Sequence, residues 1–263
     1  MLIHWHGDPT AFHLGPLAVR WYGLLFAIAF VAGYELLRWM CRRENRSFDP
    51  LKDLLIWIMV GGLLGARLAH CLIYEPALYL THPIEILKIW QGGLASHGGV
   101  VGVILTLFFY SRRADSPPLL WLCDRMTLPA TLAGTLIRIG NFMNSEILGN
   151  PTGTSWGVVF ERVDLLPRHP VQLYEAAAYL LVFLLLLGLY RRWREQLAPG
   201  IYTGVFLIGV FTARFLLEFL KTPQAAYDSE LVLSMGQWLS LPLVAAGIIL
   251  IVAKYKTARH RVG

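Results

Sequence analysis

Seven long apolar runs, separated by segments of very uneven charge, constrain this 263-residue chain more than any other feature. They are Leu17–Met40, Leu51–Tyr74, His97–Ser111, Pro118–Ile139, Val171–Tyr190, Ile201–Leu220 and Met235–Ala253. A helix that crosses a bilayer needs about 20 predominantly apolar residues, because lipid offers its backbone no hydrogen-bond partner. The runs therefore predict an all-α membrane protein with seven transmembrane helices, residues 1-263 forming a single integral membrane domain. With 56% hydrophobic and 15% charged residues, the composition excludes an ordinary soluble domain. The third run is short and opens on Gly98, Gly99 and Gly102, which suits close helix packing or an unwound end.

The charges between the runs predict orientation. Arg42, Arg43, Arg46, Lys52, Arg112, Arg113 and Arg125 fall on one side, with Arg191, Arg192, Arg194, Lys254, Lys256, Arg259 and Arg261. The other side holds only Lys88, Arg162, Arg168 and Lys221. The positive-inside rule then places the N-terminus outside and the C-terminus in the cytoplasm, which requires an odd number of helices. The basic excess thus reads as orientation and contact with lipid headgroups, not as a nucleic-acid surface. Met1–Val19 carries no Lys or Arg, so it lacks the basic start of a cleavable signal peptide. Two outer-face loops, 75-96 and 141-170, are long enough to form small cap elements. The first holds an amphipathic stretch, Ile84 to Trp90, suited to the headgroup plane. Cys41, Cys71 and Cys123 show no zinc or redox spacing and read as structural thiols.

Once orientation is assigned, each polar residue acquires a depth. Arg20 and Tyr22 open the first helix, Arg67 lies in the outward part of the second, and His97 opens the third. Arg138 and Asn141 end the fourth, Glu175 starts the fifth, Arg214 and Glu218 share one face of the sixth, and Gln237 opens the seventh. All of these fall in the outer half. The inner half keeps only Glu35, Asp124 and Arg125 as exceptions. Ionisable residues at membrane depth point to function, and a site confined to one leaflet suits a lipid-using enzyme. A transporter needs a polar path through the midplane. A membrane scaffold leaves the cluster without a purpose. Singly, each residue also has a structural reading: Arg138 as an interfacial anchor, Arg214 as an ion pair with Glu218, and His97 as a helix cap. Asn141 and Asn144 are common in turns, and Gly149 suits a positive φ.

Arg138-Ile-Gly-Asn-Phe-Met-Asn-Ser-Glu146, followed by Gly149, resembles the signature of bacterial prolipoprotein diacylglyceryl transferases. Val19-Arg-Trp-Tyr-Gly23, Ala95-Ser-His-Gly-Gly99, His169-Pro-Val-Gln-Leu-Tyr-Glu175, Arg214-Phe-Leu-Leu-Glu218 and Ser234-Met-Gly-Gln237 resemble further family motifs, in the family's order. The resemblance implies transfer of the diacylglyceryl group from phosphatidylglycerol to the lipobox cysteine thiol of a preprolipoprotein signal peptide. The product is a thioether, glycerol phosphate leaves, and no cofactor or metal is needed. It also implies a multi-pass protein of the bacterial inner membrane. By the same resemblance Arg138 binds phosphatidylglycerol, Arg214 is a second functional arginine, and His97 is the general base. Tyr22, Asn141, Asn144, Glu146, Gly149 and Glu218 shape the substrate site. The chain departs from the pattern at Val210, four residues before Arg214, where some members carry a functional tyrosine.

Overall fold

The computed structural model describes residues 2–222 and 233–259. Of the inward-assigned cations, Arg261 lies outside those residues, as do the side chains of Lys256 and Arg259. Each of the seven apolar runs is helical over most of its length. The helices are α1 (Trp21–Arg43), α2 (Leu54–Ala69), α4 (Ser96–Tyr110), α5 (Leu119–Met143), α6 (Val171–Trp193), α7 (Ile201–Glu218) and α8 (Met235–Arg259), with a short α3 (Pro76–Thr81) between the second and third runs. Among the described residues, five segments are long and apolar enough to cross a membrane: Trp21–Arg43, Asp49–Tyr74, Val171–Gln196, Ile201–Glu218 and Met235–Lys254. The apolar part of α4, His97–Tyr110, is shorter, and α5 carries Asp124, Arg125 and Arg138 along its length.

Two stretches depart from expectation. Leu17–Arg20, taken as the start of the first helix, is instead the strand β3, paired antiparallel with β2 (Thr10–Leu14). Gly15 and Pro16 form the turn, and Gly15 takes the positive φ of 59° that such a hairpin demands. The loop 141–170 is not irregular throughout. It supplies β4 (Val158–Phe160) and β5 (Pro167–Arg168), which join β1 (Ile3–Trp5) in a sheet of order β1-β4-β5. The first pair is parallel and the second antiparallel.

Contacts divide the chain into two compact units, 1–40 with 124–263, and 41–123. In the second unit α2 and α4 pack through glycines. A Cβ on Gly65 would lie 2.3 Å from the Gly98 carbonyl oxygen, and one on Gly102 would lie 2.1 Å from that of Gly61. Gly61/Gly65 and Gly98/Gly102 are thus two facing small-xxx-small pairs, which let backbones approach where lipid provides no hydrophobic drive. Close packing is the observed alternative.

Arg67 belongs to this unit's architecture. Its side chain is 3% exposed and donates to the carbonyls of Glu85, Ile86, Gly92 and Gly93 at 2.6–3.0 Å, stacking also on Tyr79. One guanidinium thereby satisfies carbonyls that the loop's irregular backbone leaves open. Ile84–Trp90 is not a regular amphipathic helix, because that loop is folded into two 3-10 turns, Pro83–Leu87 and Ile89–Gln91, around the arginine.

The first unit gathers most of α1 and α5, all of α6 to α8, the sheet and the hairpin. At the start of α5, buried Asp124 accepts from the Gly200 amide at 2.7 Å, the Thr203 amide at 2.8 Å and the Thr203 hydroxyl at 2.7 Å. The two amides are orphan donors at the N-terminus of α7, so Asp124 caps a helix from a different helix. Arg125 lies over the rings of Tyr190 and Tyr202. Thr127, Thr131 and Thr135 return their hydroxyls to carbonyls one turn back. Gln237 also proves structural. Ser234 and Gln237 exchange backbone-to-side-chain hydrogen bonds of 3.3 and 3.0 Å, a capping box that opens α8.

Candidate active site

The signature segment runs off the end of α5, which continues past the expected stop at Ile139 to Met143. Arg138 and Asn141 therefore lie one turn apart on the same helix, and Arg138 donates to Asn141 Oδ1 at 3.1 Å. Asn141 in turn donates to Glu146 Oε2 at 3.2 Å, while Asn144 donates to Glu146 Oε1 at 3.1 Å. Both amides are thus oriented by one carboxylate. To bring Glu146 back over the helix end, the backbone takes left-handed conformations at Ser145 (φ 56°) and Ile147 (φ 55°). For a β-branched residue that conformation stores strain, of the order of 1–3 kcal/mol, which the surrounding contacts must hold.

Gly149 does not take a positive φ, contrary to expectation. Its requirement is space. A Cβ there would lie 2.3 Å from the His169 carbonyl oxygen and 2.7 Å from its Cβ. That close approach lets residues 148–150 pair with the chain leaving α7: Asn150 donates to the Leu220 carbonyl at 2.7 Å and Thr222 to the Leu148 carbonyl at 3.1 Å. Arg168 fastens the arrangement from the β5 side, donating to the Gly149 carbonyl at 3.1 Å and the Thr222 hydroxyl at 3.2 Å. Asp164 orients Arg168 at 2.5 Å, and that guanidinium holds the Asp164 carboxyl below the usual carboxylate range.

This pairing delivers Lys221, which is 8% exposed, into the interior. Its ammonium lies 2.9 Å from Glu175 and 2.8 Å from Glu218. Glu175 is fully buried, and its second oxygen lies 2.9 Å from Arg138 Nε. The expected pairing of Arg214 with Glu218 is replaced by this chain of Arg138, Glu175, Lys221 and Glu218, two cations against two carboxylates. Gly236, at the start of α8, leaves the room Glu218 needs, since a Cβ there would lie 2.6 Å from the carboxylate.

Arg214 stands outside that balance. It is half-buried, and among the described residues its guanidinium makes no hydrogen bond or ion pair. It shares an electrostatic neighbourhood with Arg138, both acting on the buried Tyr179 hydroxyl. Tyr22, the second residue of α1, lies within electrostatic range of Arg138 and Glu146. It packs against Gly140, where a Cβ would come 3.0 Å from its ring. Val210 is on α7, one turn before Arg214.

Arg138, Arg214, Tyr22, Asn141, Asn144, Glu146, Gly149 and Glu218 thus all belong to one unit and form a connected neighbourhood. His97 belongs to the other unit, exposed in the first turn of α4. Sequence reasoning assigned no site role to Lys221, Glu175 or Gln172. Lys221 was read as a loop charge, and only its long-range pairing reveals its position. Gln172, fully buried, donates to the Glu146 carbonyl at 2.6 Å. The readable signal was the three-residue spacing of Gln172 and Glu175, which puts both on one helix face. Chemically, the neighbourhood offers a guanidinium unpaired among the described residues, a second one held in place, and a buried tyrosine hydroxyl within electrostatic range of both. That set suits binding of an anionic oxygen group.

A family model described as prolipoprotein diacylglyceryl transferase matches residues 9–253. A phosphatidylglycerol–prolipoprotein diacylglyceryl transferase from Tolumonas auensis is 54% identical over 97% of this chain and 98% of its own length. Proteins of the same name from Chloroherpeton thalassium and Porphyromonas gingivalis are 49% and 41% identical, covering 98% and 97% of this chain and 96% and 95% of their own lengths.

Proposed function

We propose, from the premise that this chain belongs to the prolipoprotein diacylglyceryl transferase family, that it moves the diacylglyceryl group of phosphatidylglycerol onto the lipobox cysteine thiol of a prolipoprotein. A C–S thioether bond forms, the bond between the glyceride carbon and the phosphate oxygen breaks, and glycerol phosphate departs with the electron pair. The observation that carries the site assignment is Arg214: a half-buried guanidinium with no carboxylate partner among the described residues, on the same helix as the balanced Glu218. The departing phosphate changes from a diester to a more highly charged monoester. A cation whose charge is not already neutralised stabilises that change most, in a site sheltered from water.

Arg138 is held by Glu175 and Asn141, so its guanidinium is fixed in direction at little reorganisation cost. Asn144, Glu146 and Gly149 shape the headgroup end, and Tyr22 lies beside them. Tyr179 stands within electrostatic range of both arginines. His97 takes the thiol proton in this reading, since the thiolate is the nucleophile. The chain works as one seven-helix domain of the bacterial inner membrane, N-terminus outside, with phosphatidylglycerol entering from the outer leaflet.

Purified protein in phosphatidylglycerol-containing micelles should convert a lipobox peptide to its diacylglyceryl thioether with matching release of glycerol phosphate. Folded protein that yields neither product refutes the reaction. His97→Gln should retain phosphatidylglycerol binding and regain rate as pH approaches the thiol pKa of about 8.5. A rate loss independent of pH would remove His97 from the base role.

A further inference from the structure

The second unit carries a cavity that the transferase reading does not use. A groove of about 530 Å³ runs beside the α2/α4 crossing, within the range of small-molecule sites. Its floor is the glycine face, Gly61, Gly65 and Gly102, where the absence of side chains sinks the surface. Its walls are Trp57, Leu64, Leu68, Leu105 and Phe109. From Trp57 to Leu68 the helix rises about 16 Å, and these walls are aliphatic or aromatic throughout. Thr106 adds no free donor, because its hydroxyl returns to the Gly102 carbonyl at 2.8 Å.

Charge appears at one end only. There the Asp53 carboxylate receives three donors: the Tyr110 hydroxyl, Trp57 Nε1 at 3.0 Å and Arg113 Nη1 at 2.9 Å. Its acceptor capacity is largely spent on this chain's own groups. Arg113 is in the opposite condition. A single nitrogen is engaged, the guanidinium lies over the Tyr110 ring, and its side chain is 52% exposed. Asp115 also acts on it from a distance. Asp53 therefore aims the guanidinium, and the unengaged N–H groups form the fork that matches phosphate oxygens.

A long apolar trough that ends at an aimed guanidinium has the shape and polarity of a phospholipid. We propose that this groove binds a glycerophospholipid, one acyl chain lying along Leu64 and Leu105 and the phosphate on Arg113, at a site separate from the Arg138/Arg214 neighbourhood. The proposal does not rest on the transferase reading, and its test needs no turnover.

The probes are phosphatidic acid and diacylglycerol carrying the same photoactivatable acyl chains, each added in trace amount to full-length protein in nanodiscs. Labelled peptides are mapped by mass spectrometry. Phosphatidic acid should label residues 54–69 and 102–113 above the lipid-facing leucines of α6, such as Leu181 and Leu184. Leu64→Trp, which fills the trough, and Arg113→Gln, which removes the fork, should each cut that labelling about tenfold without moving the melting temperature. Labelling spread evenly over α6 and unchanged in both variants means annular contact only and overturns the site. Equal labelling by diacylglycerol overturns the phosphate assignment.

Discussion

The two ends of α5 carry similar residues in opposite conditions. At its start, Asp124 is buried against three donors from the beginning of α7, and Arg125 is covered by two tyrosine rings. At its end, Arg138 and Asn141 enter a network that leads through Glu175 and Lys221 to Glu218 and leaves Arg214 without a partner among the described residues. Between them, three threonine hydroxyls are consumed by the helix's own carbonyls. Polarity at membrane depth is therefore not itself a sign of function. A carboxylate whose acceptors are all occupied contributes to folding. A guanidinium with donors to spare is available to a substrate. The same contrast weakens a transport reading, since the polar groups of the α5 start and middle are spent internally.

The largest effect should come from removing the available cation. Arg214→Ala should lower turnover by about 10²–10³, the usual loss for one donor to a developing anion, with the melting temperature nearly unchanged. Arg192→Ala, which removes a guanidinium stacked on Trp193, is the control and should cost neither. Steady-state rates and thermal unfolding in one detergent would measure both. If Arg214→Ala melts the protein as a core substitution does, Arg214 is structural and the contrast between the two ends collapses.

Asp124→Ala is the converse. Three donors at the start of α7 lose their acceptor, a cost of about 2–4 kcal/mol, while the folded fraction should keep its turnover. Asp124→Asn should recover part of the stability, because one amide oxygen still accepts. A variant that keeps its melting temperature but loses activity would move Asp124 into the site.

These two residues also show how far the sequence could be read. Helix content and the outer-half cluster were legible because apolar runs of membrane length leave few alternatives, and because ionisable residues inside them are conspicuous. Asp124 and Arg138 were equally conspicuous, and the sequence set them apart only by depth and by the signature that Arg138 opens. What the structure adds is the partner set, and those partners lie about 40 to 80 residues away: Glu175 for Arg138, Gly200 and Thr203 for Asp124. Lys221 was misplaced for the same reason: a buried ion-pair bridge was read as loop charge. Gln237 does open its helix as expected, because its capping partner Ser234 is local. The β2–β3 hairpin, in contrast, was missed although its Gly-Pro turn is local. The apolar residues of Leu17–Arg20 merged with the helix that follows.

Gly149→Ala tests how tightly the open end of α5 is built. The added Cβ has nowhere to go beside His169, so residues 148–150 must shift, at about 1–3 kcal/mol. That shift loosens the pairing with residues 220–222 and so misplaces Lys221. Activity should therefore fall by more than the stability loss predicts. If stability and activity fall in proportion, Gly149 serves the fold alone.

The smallest effect belongs to the exposed rim of that end. The Arg168 guanidinium lowers the Asp164 pKa, so the pair's stabilisation is fully present above the carboxyl's unfolded value, near pH 4, and is lost as pH falls through the lower folded value. Asp164 is 29% exposed, which screens the pair to below about 1 kcal/mol. Hydrogen exchange of the Asn150 and Thr222 amides should thus quicken modestly below pH 4, after correction for intrinsic rates, and Asp164→Asn should abolish that extra acid response. If the amides quicken equally in Asp164→Asn, the acid sensitivity lies outside the Asp164–Arg168 pair. The rim pair would then contribute nothing to how the open end of α5 is held.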